Sequence, residues 1–179
     1  PVGYLLRTSG GNLGFATDLG HVTRLVLERI RPANVLLLEA NHDVKMLQDC
    51  VRRPWSLKQR ILSRHGHLSN EAAADCTAEI MSGDLRHLYL GHLSSDCNKP
   101  ELAFGVVQKR LQQIGATHVQ LAVTTQAAPC ATRNCALRVW WSSTADGKGT
   151  NTAAAPTAAI SVTVLAPARQ ITRSASAKA

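Results

Sequence analysis

Two copies of the four-residue sequence Gly-His-Leu-Ser each place a histidine beside a predicted secondary-structure element. His92 follows the apolar stretch Leu88-Tyr89-Leu90, so it lies at the carboxyl end of a predicted strand. His67 precedes Ser69, a residue type that caps helices, and an alanine-rich run follows. Asp18 ends an earlier predicted strand. Because open α/β sheets hold ligands at the carboxyl ends of their strands, these three side chains form a candidate polar cluster.

One carboxylate and two histidines have the composition of a hydrolytic divalent-metal site. Imidazole nitrogen and carboxylate oxygen bind Zn²⁺ or Mn²⁺, and an open coordination position holds a water that the metal makes nucleophilic. Simpler interpretations stay open for each residue. Asp18 could cap a helix or turn, His92 could bond to backbone at the sheet edge, and His67 could be structural beside its cap.

The elements that must position these side chains alternate between strands and helices. Hydrophobic periodicity, together with Gly, Pro and Ser at the boundaries, predicts strands over 2–8, 12–17, 35–38, 87–92 and 118–125. The same signals predict helices over 24–31, 44–50, 55–64, 70–82 and 100–114. The resulting order, β-β-α-β-α-α-β-α-β, predicts a layered α/β fold.

The last part of the chain differs in composition from the rest. Residues 1–126 carry 14 Lys and Arg against 11 Asp and Glu, whereas residues 127–179 carry 6 against 1 in an Ala/Thr/Ser-rich sequence. We therefore predict a domain over 1–126 and a basic, weakly structured tail over 127–179, in which 159–166 could form an isolated strand. A non-catalytic α/β module that binds nucleic acid through this tail is an alternative function.

Composition also excludes several classes of protein. Five cysteines, an odd number without a framework spacing, do not indicate a disulfide-stapled secreted domain. No apolar run approaches the roughly 18–20 residues that a membrane span needs, and no signal segment opens the chain. We expect a cytoplasmic protein that does not bind membranes.

Several separated motifs together resemble one known family. The sequence resembles the C-terminal half of a metallo-β-lactamase-fold hydrolase of the YycJ/WalJ-like branch, which is related to ribonuclease Z-type nucleases. The resemblance depends on the order of the motifs Gly14–His21, Leu38–Asp43, Pro54–Ile61, Gly66–Asn70, Leu90–Ser94 and Asn98–Glu101. It implies one half of a four-layer αβ/βα sandwich that binds two divalent metal ions, Zn²⁺ or Mn²⁺.

The resemblance also implies roles for individual residues. Asp18 matches the aspartate that bridges the two metals, and His92 matches the last metal-ligand histidine. His67 matches a histidine that sits near the scissile phosphate and assists proton transfer. Further residues match positions that border the site or support its ligands: Glu39, His42, Ser94 and Asn98.

One departure from the family concerns the metal ligands. The leading motif of the family, His-x-His-x-Asp-His, is absent from the 179 residues, and so is the next ligand histidine. We therefore expect a metal-dependent phosphodiesterase or nuclease acting on nucleic acid, of which this chain carries only part of the site. The partner that completes the site would be an N-terminal half carrying that motif, and this chain alone is expected to be inactive.

Overall fold

A six-stranded sheet organises the chain in a computed structural model that describes residues 3–81 and 84–125 and the backbone of 161–165. The order across the sheet is β5-β4-β3-β2-β1-β6. The hairpin strands β1 and β2 are antiparallel, whereas β2, β3, β4 and β5 run parallel to one another. The strands are β1 (Gly3–Thr8), β2 (Gly11–Ala16), β3 (Val35–Glu39), β4 (His87–Gly91), β5 (Gln120–Val123) and β6 (Ser161–Leu165).

Helices connect the parallel strands. The bounds are α1 (Arg24–Ile30), α2 (Val44–Asp49), α3 (Trp55–Leu62), α4 (Asn70–Ile80) and α5 (Pro100–Gln113). Each of these helices matches a predicted one within two residues, and the predicted α/β class is confirmed. Right-handed crossovers that follow one another in the same direction put their helices on one face of the sheet. The helices α1, α4 and α5 therefore form one layer, and α4 contacts both α1 and α5.

The two faces of the sheet are covered to different extents. Leu5, Leu36 and Leu88 share the helix-covered face in register and are fully buried. On the opposite face, Tyr4 is 42% exposed and Leu37 is half-buried. The sheet and its helix layer therefore make up two layers, which is half of the predicted four-layer sandwich.

The tail (residues 127–179) contributes a strand that the sequence did not assign to the sheet. The backbone of β6 pairs antiparallel with β1, from Gly3 opposite Leu165 to Arg7 opposite Ser161. The sequence predicted at most an isolated strand here, because nothing later in the chain could pair with it, whereas its partner is the first strand. The rest of the tail lies outside the described residues, so its weak structure and the division at 126 stay predictions.

No helix among the described residues is both long enough and apolar enough to cross a membrane. The cytoplasmic location stays a prediction.

A close backbone contact brings together two loops at the carboxyl edge of the sheet. A Cβ atom added to Gly20 would clash with the backbone nitrogen of Gly66 and the carbonyl oxygen of Ser63. A Cβ atom on Gly66 would clash with the carbonyl oxygen of Ile61. Because backbone atoms cannot move aside as a flexible side chain would, glycine at position 20 allows the two loops to come this close, and glycine at position 66 allows its own loop to fold back on α3.

This contact predicts opposite effects for two Gly→Ala substitutions. Gly20→Ala should lower the free energy of unfolding by about 1–3 kcal/mol, as for other overpacked sites, because its methyl group meets only backbone. Gly105→Ala, at an exposed position inside α5 with no atom within 4 Å of the added Cβ, should instead raise it by about 0.5–1 kcal/mol. Urea denaturation of both variants tests this, and a Gly20→Ala protein as stable as the parent would contradict it.

Candidate metal centre

Three predicted site residues meet at the carboxyl edge of the sheet. Asp18 follows β2, His92 follows β4, and His67 precedes the N-terminus of α4. One ligand atom from each lies within 4.8 Å of the other two, which is close enough to share one metal ion. The Oδ1 atom of Asp18 is 3.9 Å from Nδ1 of His67 and 3.9 Å from Nδ1 of His92. Two imidazoles and a carboxylate match the donor types that Zn²⁺ and Mn²⁺ accept.

Glu39, the last residue of β3, is hydrogen-bonded to the rings of both histidines. Its side chain is fully buried, and Oε1 lies 2.7 Å from Nδ1 of His67 and 2.8 Å from Nδ1 of His92. Its other oxygen, Oε2, accepts a hydrogen bond of 2.7 Å from the backbone N–H of Leu19, the residue after Asp18. Carboxylates that bond one ring nitrogen of a histidine orient the other toward a metal, so Nε2 of each ring is the nitrogen left for an ion or a substrate.

The backbone is unusual at Asp18 and His92. Among the described residues they are the only non-glycine residues with positive φ, 59° and 57°. Such values cost free energy unless the surroundings enforce them. At His92 the enforcing contact is the side-chain amide of Asn41, which donates to the carbonyl oxygen of His92 at 2.8 Å. Beside Asp18 it is the bond from Leu19 to Glu39. The sequence did not indicate a role for Asn41. This residue lies within the motif over 38–43, but its own side chain is not a usual metal ligand.

A buried pair of amides joins three elements beneath the site. The side chain of Asn98 donates to Oδ1 of Asn70 at 2.8 Å, and that of Asn70 donates back to Oδ1 of Asn98 at 3.0 Å. Asn98 also donates to the carbonyl oxygen of Ala40 at 2.8 Å. The end of β3 and the starts of α4 and α5 are therefore held together. Asn70 was not predicted as part of the site, since a polar first residue is ordinary in a helix.

Among the described residues, no hydrogen bond joins Ser94 or His42 to Asp18 or His92. The hydroxyl of Ser94 accepts from the N–H of Cys97 at 3.2 Å, which shapes the loop after His92.

His42 is 1% exposed, and neither ring nitrogen has a hydrogen-bond partner in the described part of the chain. Burial lowers the pKa of His42, with Glu71 and Asp43 opposing the shift and His67 adding to it. The metal, catalytic and supporting roles of the predicted residues stay predictions.

We predict that Glu39→Gln weakens metal binding without unfolding the protein. Glutamine keeps one acceptor oxygen but replaces the other with an amide nitrogen that cannot accept, so either the two histidine rings or the N–H of Leu19 loses its acceptor. Loss of such orienting partners costs about 10–100-fold in metal affinity in other proteins. Isothermal titration with Zn²⁺ and Mn²⁺ measures the change, and Glu79→Gln, at an exposed position of α4, is the matched control. Equal affinity in the two variants would exclude this role for Glu39.

A second prediction concerns acid stability. Because the pKa of His42 is lower in the folded chain than the ordinary histidine value of 6.5, the unfolded chain binds more protons just below that pH. His42 therefore favours the folded state above its unfolded pKa, and this stability is lost as the pH falls from about 6.5 toward the folded pKa. His42→Leu should show a smaller loss of stability between about pH 7.5 and about pH 5.5 than the parent, as measured by urea denaturation at each pH. An unchanged pH dependence would show that His42 does not contribute.

Comparison with known proteins defines the class. The family model described as "Beta-lactamase superfamily domain" matches residues 1–93, more than half of the chain. The chain belongs to this family.

Two curated relatives indicate which branch of the family the chain resembles. The chain is 41% identical over 115 residues to "Exodeoxyribonuclease YycJ" of Bacillus anthracis, an alignment covering 64% of this chain and 43% of the relative. It is 41% identical over 97 residues to "Exodeoxyribonuclease WalJ" of Streptococcus pneumoniae serotype 2 (strain D39 / NCTC 7466), covering 54% of this chain and 36% of the relative. The YycJ/WalJ-like resemblance is thus confirmed. The chain spans less than half the length of the curated relatives it matches.

Proposed function

We propose that this chain supplies part of the active site of a metal-dependent nuclease that hydrolyses phosphodiester bonds in DNA. The observation that carries the proposal is the Asp18, His67 and His92 cluster anchored on the buried carboxylate of Glu39. Membership of the β-lactamase superfamily and similarity to proteins named exodeoxyribonucleases support it. The side chains are 59%, 30% and 41% exposed respectively, so a polymer could reach them from solvent.

The resemblance to the family suggests a role for each residue. Asp18 and His92 would hold metal, and the carboxylate of Asp18 has two oxygens with which to bridge two ions. A bound pair of Zn²⁺ or Mn²⁺ ions would supply an activated water and neutralise charge on the phosphate. His67, with Nδ1 bonded to Glu39, keeps Nε2 for passing a proton to the leaving oxygen. The buried Glu39 fixes the direction of that ring.

The same geometry supports a further part of the proposal, that the chain alone turns over little DNA. The carboxylate of Asp18 and the imidazole of His92 cannot complete the shells of two ions. The remaining ligands would come from a segment with the His-x-His-x-Asp-His motif, which these 179 residues lack. The first experiment therefore compares hydrolysis of end-labelled DNA, with Mn²⁺ or Zn²⁺, by this chain alone and by the chain joined to such a segment. Activity that appears only in the joined protein supports the proposal, and no activity in either would contradict it.

Two substitutions in the joined protein distinguish ligand from proton donor. Asp18→Ala should lose at least one metal position and nearly all activity, since the bridging carboxylate also screens the two cations from each other. His67→Ala should keep its metal and lose about 10²–10⁴-fold in turnover, the usual contribution of general acid–base catalysis. Metal stoichiometry measured alongside turnover separates the two results.

The control for both variants is His118→Ala, which removes an exposed histidine from the segment that leads into β5. It should change neither metal content nor turnover. If His67→Ala lost metal while Asp18→Ala kept a full complement, the two assigned roles would be wrong.

A further inference from the structure

Two loops on the α2 and α5 side of the site are held together by ion pairs. Cys50 ends α2, and Cys97 lies between His92 and α5. Arg52 bonds Oδ1 of Asp96 through Nη2 at 2.8 Å, and Arg53 bonds Oδ2 of the same carboxylate at 2.7 Å. The residues after Cys50 are thereby fixed against the residue before Cys97.

The side chains of these two cysteines lie within hydrogen-bonding reach of each other. Cys50 is half-buried and borders an open surface cavity of about 500 Å³, which Met46 and Leu102 also line. Cys97 is 1% exposed. A small solute can therefore approach Cys50 from the cavity, whereas Cys97 is buried.

The surroundings make the two thiols unequal. Burial raises the pKa of Cys50, but the backbone N–H of Arg52, the thiol of Cys97, the N–H of Arg53 and the charge of Arg52 together bring it below its usual value. Burial raises the pKa of Cys97, and its contact with Cys50 raises it further against the opposing effects of Ser94 and Arg53. Thiolate is the reactive form of cysteine, so Cys50 is the more reactive of the two.

We propose that Cys50 and Cys97 form a peroxide-reactive thiol pair that closes to a disulfide. In the first step the Cys50 thiolate attacks a peroxide, the O–O bond breaks, an S–O bond forms, and an alkoxide or hydroxide leaves. The sulfur is oxidised by two electrons to sulfenic acid while the peroxide is reduced. In the second step the sulfur of Cys97 attacks that of Cys50, the S–S bond forms, and the hydroxyl group leaves with the thiol proton as water.

The bond would connect two segments that border the candidate metal centre. The N–H of Ser94, three residues before Cys97, donates to the carbonyl oxygen of Asn41 at 2.8 Å, and the side chain of Asn41 bonds the carbonyl oxygen of His92. Cys50 closes the turn that leads through Arg53 into α3. Oxidation would therefore restrain the loop after His92 from a point outside the ligand set, whatever reaction the site catalyses.

The test exposes the whole chain to hydrogen peroxide, alkylates the remaining thiols and analyses a non-reduced proteolytic digest by mass spectrometry. The expected result is loss of Cys50 and Cys97 from the alkylated pool and a disulfide-linked peptide containing both. Cys76 is the internal control, because its thiol is buried in α4 and burial raises its pKa to about 12. It should remain free thiol under conditions that link the other two.

Variants at each sulfur decide the order of the steps. Cys97→Ser, and Cys97→Ala as a second replacement for this buried position, should leave Cys50 as sulfenic acid that dimedone traps. Cys50→Ser should leave Cys97 unoxidised. The proposal is overturned if Cys50 links to Cys130 or Cys135 in place of Cys97, if Cys97 oxidises without Cys50, or if Cys76 reacts as readily as Cys50.

Discussion

The arrangement of the carboxyl edge depends on one buried carboxylate. Glu39 has no exposed surface, so its oxygens must be bonded by protein groups, since an unpaired buried charge costs several kcal/mol. Its bonding groups come from three places in the chain: the N–H of Leu19, the ring of His67 and the ring of His92. The strand end that carries Glu39 therefore cannot be packed without bringing the three other segments to it. The tight approach of Gly20 to Gly66 and the Asn70–Asn98 amide pair are the backbone and side-chain contacts that allow this convergence.

Much of this edge was predictable because parallel strands end on the same side. Asp18, Glu39 and His92 each lie at or just beyond the end of an apolar strand, and parallel pairing of β2, β3 and β4 brings such ends together without any knowledge of side-chain packing. His67 was predictable from the repeated Gly-His-Leu-Ser motif and from the helix cap at Ser69. The helices were found within two residues because Pro, Ser and Gly at their ends carry local signals.

The features that sequence analysis missed depend on distant partners. Glu39 was expected to border the site and orient its ligands, but the sequence did not indicate that one side chain bonds both histidines, 28 and 53 residues away. Asn41 and Asn70 act through backbone and amide contacts that leave no motif. The pairing of β6 with β1 links the two ends of the chain, so no local pattern could indicate it. In each case the local sequence allows the contact but does not specify the partner.

The left-handed backbone at Asp18 and His92 also narrows which amino acids these two positions accept. Aside from glycine, asparagine, aspartate and histidine enter this conformation most readily, whereas β-branched side chains are disfavoured there. Two of those residue types, aspartate and histidine, are also metal ligands, while the longer carboxylate of glutamate and the thiolate of cysteine are less compatible with the backbone. The backbone conformation thus limits which metal-ligating residue types these two positions accept. It favours short oxygen and imidazole donors at the sheet edge and selects against a thiolate-rich centre before any ion is bound.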